Sequence, residues 1–157
     1  MKKKAIVILD NIRSVYNTAS IFRTSDGVGV LEIFLCGTTP TPIDRFGRKR
    51  KDFAKVALGA EDSISWKYFE TTADAIKEAK KNNFHIAALE QDERSIAYTS
   101  YQPLEKTALV LGEETKGLQK SDLDLCDVVL EIPMRGNKES LNVSVAAGIM
   151  LYQMLNN

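Results

Sequence analysis

Short unbroken apolar runs alternate along this chain with longer stretches in which apolar residues recur at helical spacing. The runs AIVIL (5–9), VLEIFLCG (30–37), SWKYFE (65–70), FHIAALE (84–90), TALVLG (107–112) and VVLEI (128–132) predict strands. Between them, NTASIFRTSDGVG (17–29) predicts a helix capped by Asn17 or Thr18 and ended by Gly27 and Gly29. TTADAIKEAKKNN (71–83) predicts a second helix, with a threonine cap and lysines in its last turns. RFGRKRKDFAKVALGAED (45–62) predicts a basic loop and a short helix. LQKSDLDLC (118–126) predicts another short helix, and SLNVSVAAGIMLYQML (140–155) the final one. Strand–helix alternation with continuously apolar strands predicts an α/β fold, a parallel sheet covered on both faces. Ligands on such sheets bind at the carboxyl ends of the strands, which directs attention to the loops after Leu9, Leu89, Leu111 and Ile132.

The last helix departs from the amphipathic pattern. From Val143 to Leu155 it is apolar nearly all round, so it must be buried on every side. One small domain rarely covers such a helix, and a homodimer interface is expected. Its start is polar. Ser140 is expected to cap it, but Asn142 and Ser144 are poor helix formers beyond a cap. Polar groups at a costly position point to a site.

At 157 residues the chain is long enough for one domain with a sizeable core. Formal net charge is zero, so a nucleic-acid partner would need a local basic patch. RFGRKRKDFAK provides one: Arg45, Arg48, Lys49, Arg50, Lys51 and Lys55, beside Phe46 and Phe53. Arg13 and Lys2 to Lys4 are secondary candidates. Cys36 and Cys126 lie far apart without a CxxC motif and read as reduced core thiols. The opening MKKKAIVILDN is no signal peptide, because Asp10 interrupts its apolar run, and no run has membrane-spanning length. A cytoplasmic protein is expected.

Several chemistries are disfavoured. Gly27-x-Gly29 follows a helix, the reverse of a dinucleotide-binding turn, and GEETKGL (112–118) lacks the lysine of a P-loop. Glu113 and Glu114 in that loop would repel a phosphate and suit a ligand with a positive centre. His85 is the only histidine, so neither a metal site nor a serine–histidine triad can be built around it. Arg23 points away from the side of its helix shared by Ile21, Ser25 and Val28. Taken alone, it reads as a solvated charge.

Three segments, in order, resemble the SpoU branch of the SPOUT RNA methyltransferases: NTASIFRTSDGVGV (17–30), LVLGEETKGL (109–118) and IPMRGNKESLNVSVAAGI (132–149). KVALGAEDSISW (55–66) is similar to the family's linking stretch. The resemblance implies a deep trefoil knot at the carboxyl end, a homodimer, and transfer of a methyl group from S-adenosylmethionine to a ribose 2′-hydroxyl. It places the cofactor against Leu89, Glu90, Gly112, Ile132, Met134, Ser140 and Leu141. It makes Arg23 the catalytic arginine, with Asn17, Glu114, Ser140 and Asn142 as the other active-site positions. Arg45, Arg48, Lys49, Arg50, Lys51 and Arg13 are the expected RNA contacts. Residues 1–157 are expected to form one SPOUT domain without a separate RNA-binding extension, acting on tRNA rather than rRNA. The alternatives are an inactive RNA-binding protein of the same fold and an RNA base methyltransferase. A guanidinium holds its proton at neutral pH, so Arg23 is expected to stabilise a developing alkoxide or engage a phosphate.

Overall fold

A computed structural model describes residues 1–156. Its elements are β1 (Lys4–Asp10), α1 (Val15–Val28), β2 (Glu32–Cys36), α2 (Lys51–Ala57), α3 (Ala60–Ser63), β3 (Ser65–Phe69), α4 (Thr72–Lys81), β4 (His85–Leu89), β5 (Ile96–Ala97), β6 (Lys106–Gly112), α5 (Lys120–Leu123), β7 (Val128–Glu131) and α6 (Val143–Leu155). The strands form one sheet in the order β3-β2-β1-β6-β4-β7-β5, every pair parallel. All six expected strands are present. The seventh, β5, has two residues in a polar stretch and carries no periodic signal.

Successive strand residues point to opposite faces, so the five inner strands, β2, β1, β6, β4 and β7, feed two cores. Val7, Leu9, Ile33, Leu35, Leu109 and Leu111 pack under α1, α2 and α6. Ile6, Ile8, Phe34, Ile86, Ala108 and Val110 pack under α4 and α5. This explains why the strands are continuously apolar: both faces are covered.

Helix ends differ from the sequence reading in ways that matter for the site. The cap of α1 is Ser14, whose Oγ accepts from the Asn17 N–H at 3.1 Å, so the helix starts three residues before Thr18. Asn17 is thus inside the helix with its amide side chain released. Gly29, at φ +88°, is the C-cap, while Gly27 lies within the helix, near the Tyr152 hydroxyl of α6. Asn142, not Ser140, caps α6; its Oδ1 accepts from the N–H groups of Ser144 (2.9 Å) and Val145 (3.4 Å). Asparagine is among the strongest N-caps, and residues 132–142 stay non-helical up to it. The expected short helix in 45–62 is two helices, split at Leu58 (φ +52°) and Gly59 (φ +95°).

Helix α6 is not buried on every side within one chain. Val143, Ala147, Met150, Leu151 and Met154 enter the core, but Val145 is 51% exposed and Tyr152 49%, with Ile149 half-buried between them. At spacings of four and three, these residues form a single apolar stripe. Tyr16 on neighbouring α1 is also exposed.

Candidate active site

The carboxyl ends of β4, β6 and β7 surround a cavity of about 300 Å³. Leu89, Glu90, Gly112, Ile132, Met134, Ser140 and Leu141 all line it. The loop directly after β1 does not; that strand contributes through Asn17, at the start of the next helix.

Backbone geometry explains the glycines. Gly117 sits at φ +63°, and a Cβ there would lie 2.4 Å from a Glu90 carboxylate oxygen. A Cβ on Gly112 would lie 2.9 Å from the carbonyl carbon of Gly117. Only glycines allow the 112–118 loop to fold back this tightly. Glu90 then fastens it, accepting from the Leu118 N–H at 2.8 Å and the Gln91 N–H at 3.1 Å. The Gln91 side-chain amide donates to the Glu139 carbonyl at 2.6 Å, tying in the third loop. Gln91 had no signal in the sequence beyond lying next to a strand end.

The two loop carboxylates have different tasks. Glu113 closes its own turn, accepting from the Thr115 hydroxyl and from the N–H groups of Thr115 and Lys116. The Thr115 hydroxyl, then the Lys116 N–H, hold its carboxyl below the usual range, and the charge of Arg13 adds to this. Glu114 reaches outwards. Its Oε1 accepts from the Asn17 amide at 3.3 Å and from the Val143 N–H at 3.2 Å. The Asn142 amide donates to Asn17 Oδ1 at 3.1 Å. Glu114, Asn17 and Asn142 therefore form one hydrogen-bonded chain at the cavity mouth, joining three segments distant in sequence. Ser140 lines the cavity beside them.

Arg23 is not brought to this group within one chain. It is exposed, makes no hydrogen bond or ion pair among the described residues, and does not line the cavity. It lies six residues beyond Asn17, about 9 Å further along the helix axis.

The cavity is acidic: Glu90, Glu113, Glu114, Glu131 and Glu139 line it against Lys116 alone. Leu89, Leu111, Ile132, Met134 and Leu141 supply apolar walls. A ligand with a positive centre and an apolar body suits such a lining, and a phosphate does not.

The basic stretch lies elsewhere. Ile43 and Lys49 border a groove at the amino ends of β2 and β3, beside Glu32, Ser65 and Trp66, whereas the cavity is at the carboxyl ends of the sheet. Arg48 pairs with Asp44 (3.3 Å), Lys49 with Asp62 (3.2 Å) and Arg50 with Asp52 (3.0 Å), so the patch is less cationic than its sequence suggests. Arg45 and Lys51 have no ion pair among the described residues. Phe53 is no surface ring: it is fully buried, edge-on to Phe22 with centroids 5.0 Å apart. Arg13 is separate from this patch, close enough to Glu113 to influence its charge.

Residues 4–152 match the model of the SpoU rRNA Methylase family. A tRNA (guanosine(18)-2′-O)-methyltransferase of Aquifex aeolicus is 30% identical over 152 residues, which are 97% of this chain and 69% of that protein. A TrmH-family tRNA/rRNA methyltransferase of Staphylococcus aureus, so named provisionally, is 33% identical over 95% of this chain. This chain spans 57% of that relative's length. Among solved structures, the A. aeolicus TrmH/SpoU tRNA-modifying enzyme superposes with a TM-score of 0.83 at 30% identity, covering 99% of this chain and 75% of that one. An AdoMet-bound rRNA methyltransferase from Sinorhizobium meliloti gives 0.87 at 25% identity, covering 98% and 56%.

Proposed function

This chain belongs to the SpoU rRNA methylase family, and from that premise we propose that it transfers a methyl group from S-adenosylmethionine to a ribose 2′-hydroxyl of RNA, with tRNA favoured over rRNA. The observation that carries the proposal is the Glu114–Asn17–Asn142 chain at the mouth of an acidic, apolar-walled cavity. It unites the three segments that resemble the family's motifs.

The lining fits the cofactor. Leu89, Ile132, Met134 and Leu141 would pack its adenosine and carbon chain, and the glutamates would face its cationic sulfur. When bound, S-adenosylmethionine supplies an electrophilic methyl carbon. The protein's task is then chiefly alignment, which can contribute about 7–11 kcal/mol. Asn17 and Asn142 hold the cavity mouth in place and present amides towards the ribose. The 2′-hydroxyl would lose its proton to water or a phosphate as its oxygen bonds to the methyl carbon, whose bond to sulfur breaks to leave a neutral thioether. The Arg23 guanidinium, which stays protonated, stabilises that oxygen.

The exposed position of Arg23 supports a reading with a second copy. Its exposed side chain, about 9 Å along α1 from Asn17, serves the partner's cavity in a homodimer. The open stripe of Val145, Ile149 and Tyr152, with Tyr16 beside it, is the surface offered for that dimer. The trefoil knot at the carboxyl end belongs to the same reading. It is supported by the three cavity loops drawn together through Glu90 and Gln91. RNA over DNA follows from the target hydroxyl, which DNA lacks.

The test is nucleoside mass spectrometry of tRNA and rRNA from cells with and without the gene. Loss of one 2′-O-methylnucleoside, in tRNA, is expected. Loss of a base-methylated nucleoside with all ribose methyls intact would refute the assigned reaction.

A further inference from the structure

The turn at residues 44–48 holds one aromatic ring out in solvent. Asp44 N–H donates to the Arg48 carbonyl at 2.8 Å, and Gly47 N–H to the Asp44 carbonyl at 3.0 Å. The Asp44 carboxylate accepts from the N–H groups of Phe46 (2.8 Å) and Arg48 (3.0 Å) and from Arg48 Nε (3.3 Å). Gly47 takes the left-handed conformation at φ +78°. Asp44 and Gly47 thus supply the turn's geometry, and the Phe46 side chain supplies none of it.

Phe46 is nevertheless a phenylalanine, 66% exposed. The guanidinium carbons of Arg45 and Arg48 lie 4.9 and 5.1 Å from its ring centroid. Arg48 is held by Asp44, while Arg45 has no ion pair among the described residues. An apolar ring on a braced turn, flanked by planar cations, is the composition on which unpaired nucleobases stack. Helix α2 follows at once, and its Phe53 packs on Phe22, next to Arg23. The turn stands beside the groove at the amino ends of β2 and β3, away from the chain's own cavity.

We infer that Phe46 stacks against an unpaired base of the RNA substrate, with Arg45 extending the stack or meeting the adjoining phosphate. This rests on the reading of the protein as an RNA methyltransferase. Because three neighbouring cations are already paired with carboxylates, the ring rather than bulk charge gives this contact its strength.

The test uses the full chain with two probes, total tRNA and an unstructured oligouridylate, read by fluorescence anisotropy, alongside calorimetry with S-adenosylmethionine. Phe46→Ala and Phe46→Leu are expected to weaken RNA binding about 5- to 150-fold, with cofactor affinity and melting temperature unchanged. Phe46→Trp is expected to keep RNA affinity and to show quenching on RNA addition beyond the wild-type signal from Trp66. Wild-type RNA affinity in Phe46→Ala would overturn the stacking role. So would wild-type affinity in Phe46→Leu, which keeps apolarity and loses the ring; either result would leave the ring free for a protein contact instead. Wild-type protein that binds S-adenosylmethionine but neither RNA would overturn the RNA reading itself, and this inference with it.

Discussion

Asn142 does two things with one amide. Its oxygen caps α6, and its nitrogen holds Asn17, which in turn holds Glu114. The polar start of the most apolar helix is thereby explained: the cap is also the hinge pin of the site. Arg23 stands apart, and its proposed work is to meet a developing charge with a two-pronged donor. Arg23→Lys keeps the charge and loses the fork. It is expected to lower kcat about 10²–10³-fold without changing S-adenosylmethionine affinity by calorimetry; near-wild-type turnover would contradict the role. Asp10 sets a stability trend of its own. It is buried at the end of β1, beside Gly112 in the sheet, and accepts from the Thr72 hydroxyl and the Asn11 amide. Burial pushes its carboxyl above the ordinary 3.8, the two hydrogen bonds opposing this, and buried Asp122 is raised likewise. For an acid raised in the fold, the favourable contribution is complete below the unfolded value and is lost as pH climbs through the folded one. Asp10→Asn is therefore expected to flatten the fall in melting temperature from pH 4 upward. A slope identical to wild type would refute this.

At the scale of elements, the expected α/β fold with a parallel sheet was legible because the five inner strands, β2, β1, β6, β4 and β7, are apolar on both faces, and two-faced burial leaves no alternation to misread. The site was legible in part: the resemblance named Asn17, Glu114 and Asn142, and these three do meet. The Thr71 cap of α4 and the Gly29 end of α1 were legible, but the starts of α1 and α6 were not. Ser14 outcompetes Asn17 and Thr18 as a cap because the helix extends further towards β1 than its apolar period, and Asn142 outcompetes Ser140 because the preceding loop stays irregular. The Lys49–Asp62 ion pair that helps quieten the basic stretch was also hidden, since Asp62 comes from a different helix. The apolar stripe of α6 leads to a prediction at this scale. Val145→Glu places a charge in the proposed interface at a position exposed in the single chain, so it should leave the protomer folded. Sedimentation is expected to show a wild-type dimer at micromolar concentration and a Val145→Glu monomer without turnover. A wild-type monomer would contradict the interface.

In the whole molecule, the two ends of the sheet carry different tasks. The carboxyl ends of β4, β6 and β7 form the cavity, and the amino ends of β2 and β3 border the basic turn. Arg23 is exposed and outside the cavity lining, and the proposed arrangement is a site shared by two copies. Co-expression of Arg23→Ala with Glu114→Ala tests this. Each homodimer is expected to be inactive, while the mixed dimer regains turnover because one of its two sites keeps both residues; no recovery in the mixed dimer would show that both residues act within one chain. The most direct measurement of the account as a whole is methyl placement in vitro. Purified protein is incubated with tRNA and methyl-labelled S-adenosylmethionine, and the RNA is then hydrolysed in alkali, which requires a free 2′-hydroxyl at each cleaved linkage. Label in an alkali-resistant dinucleotide is predicted. Label in mononucleotides alone would place the methyl on a base and contradict the assignment.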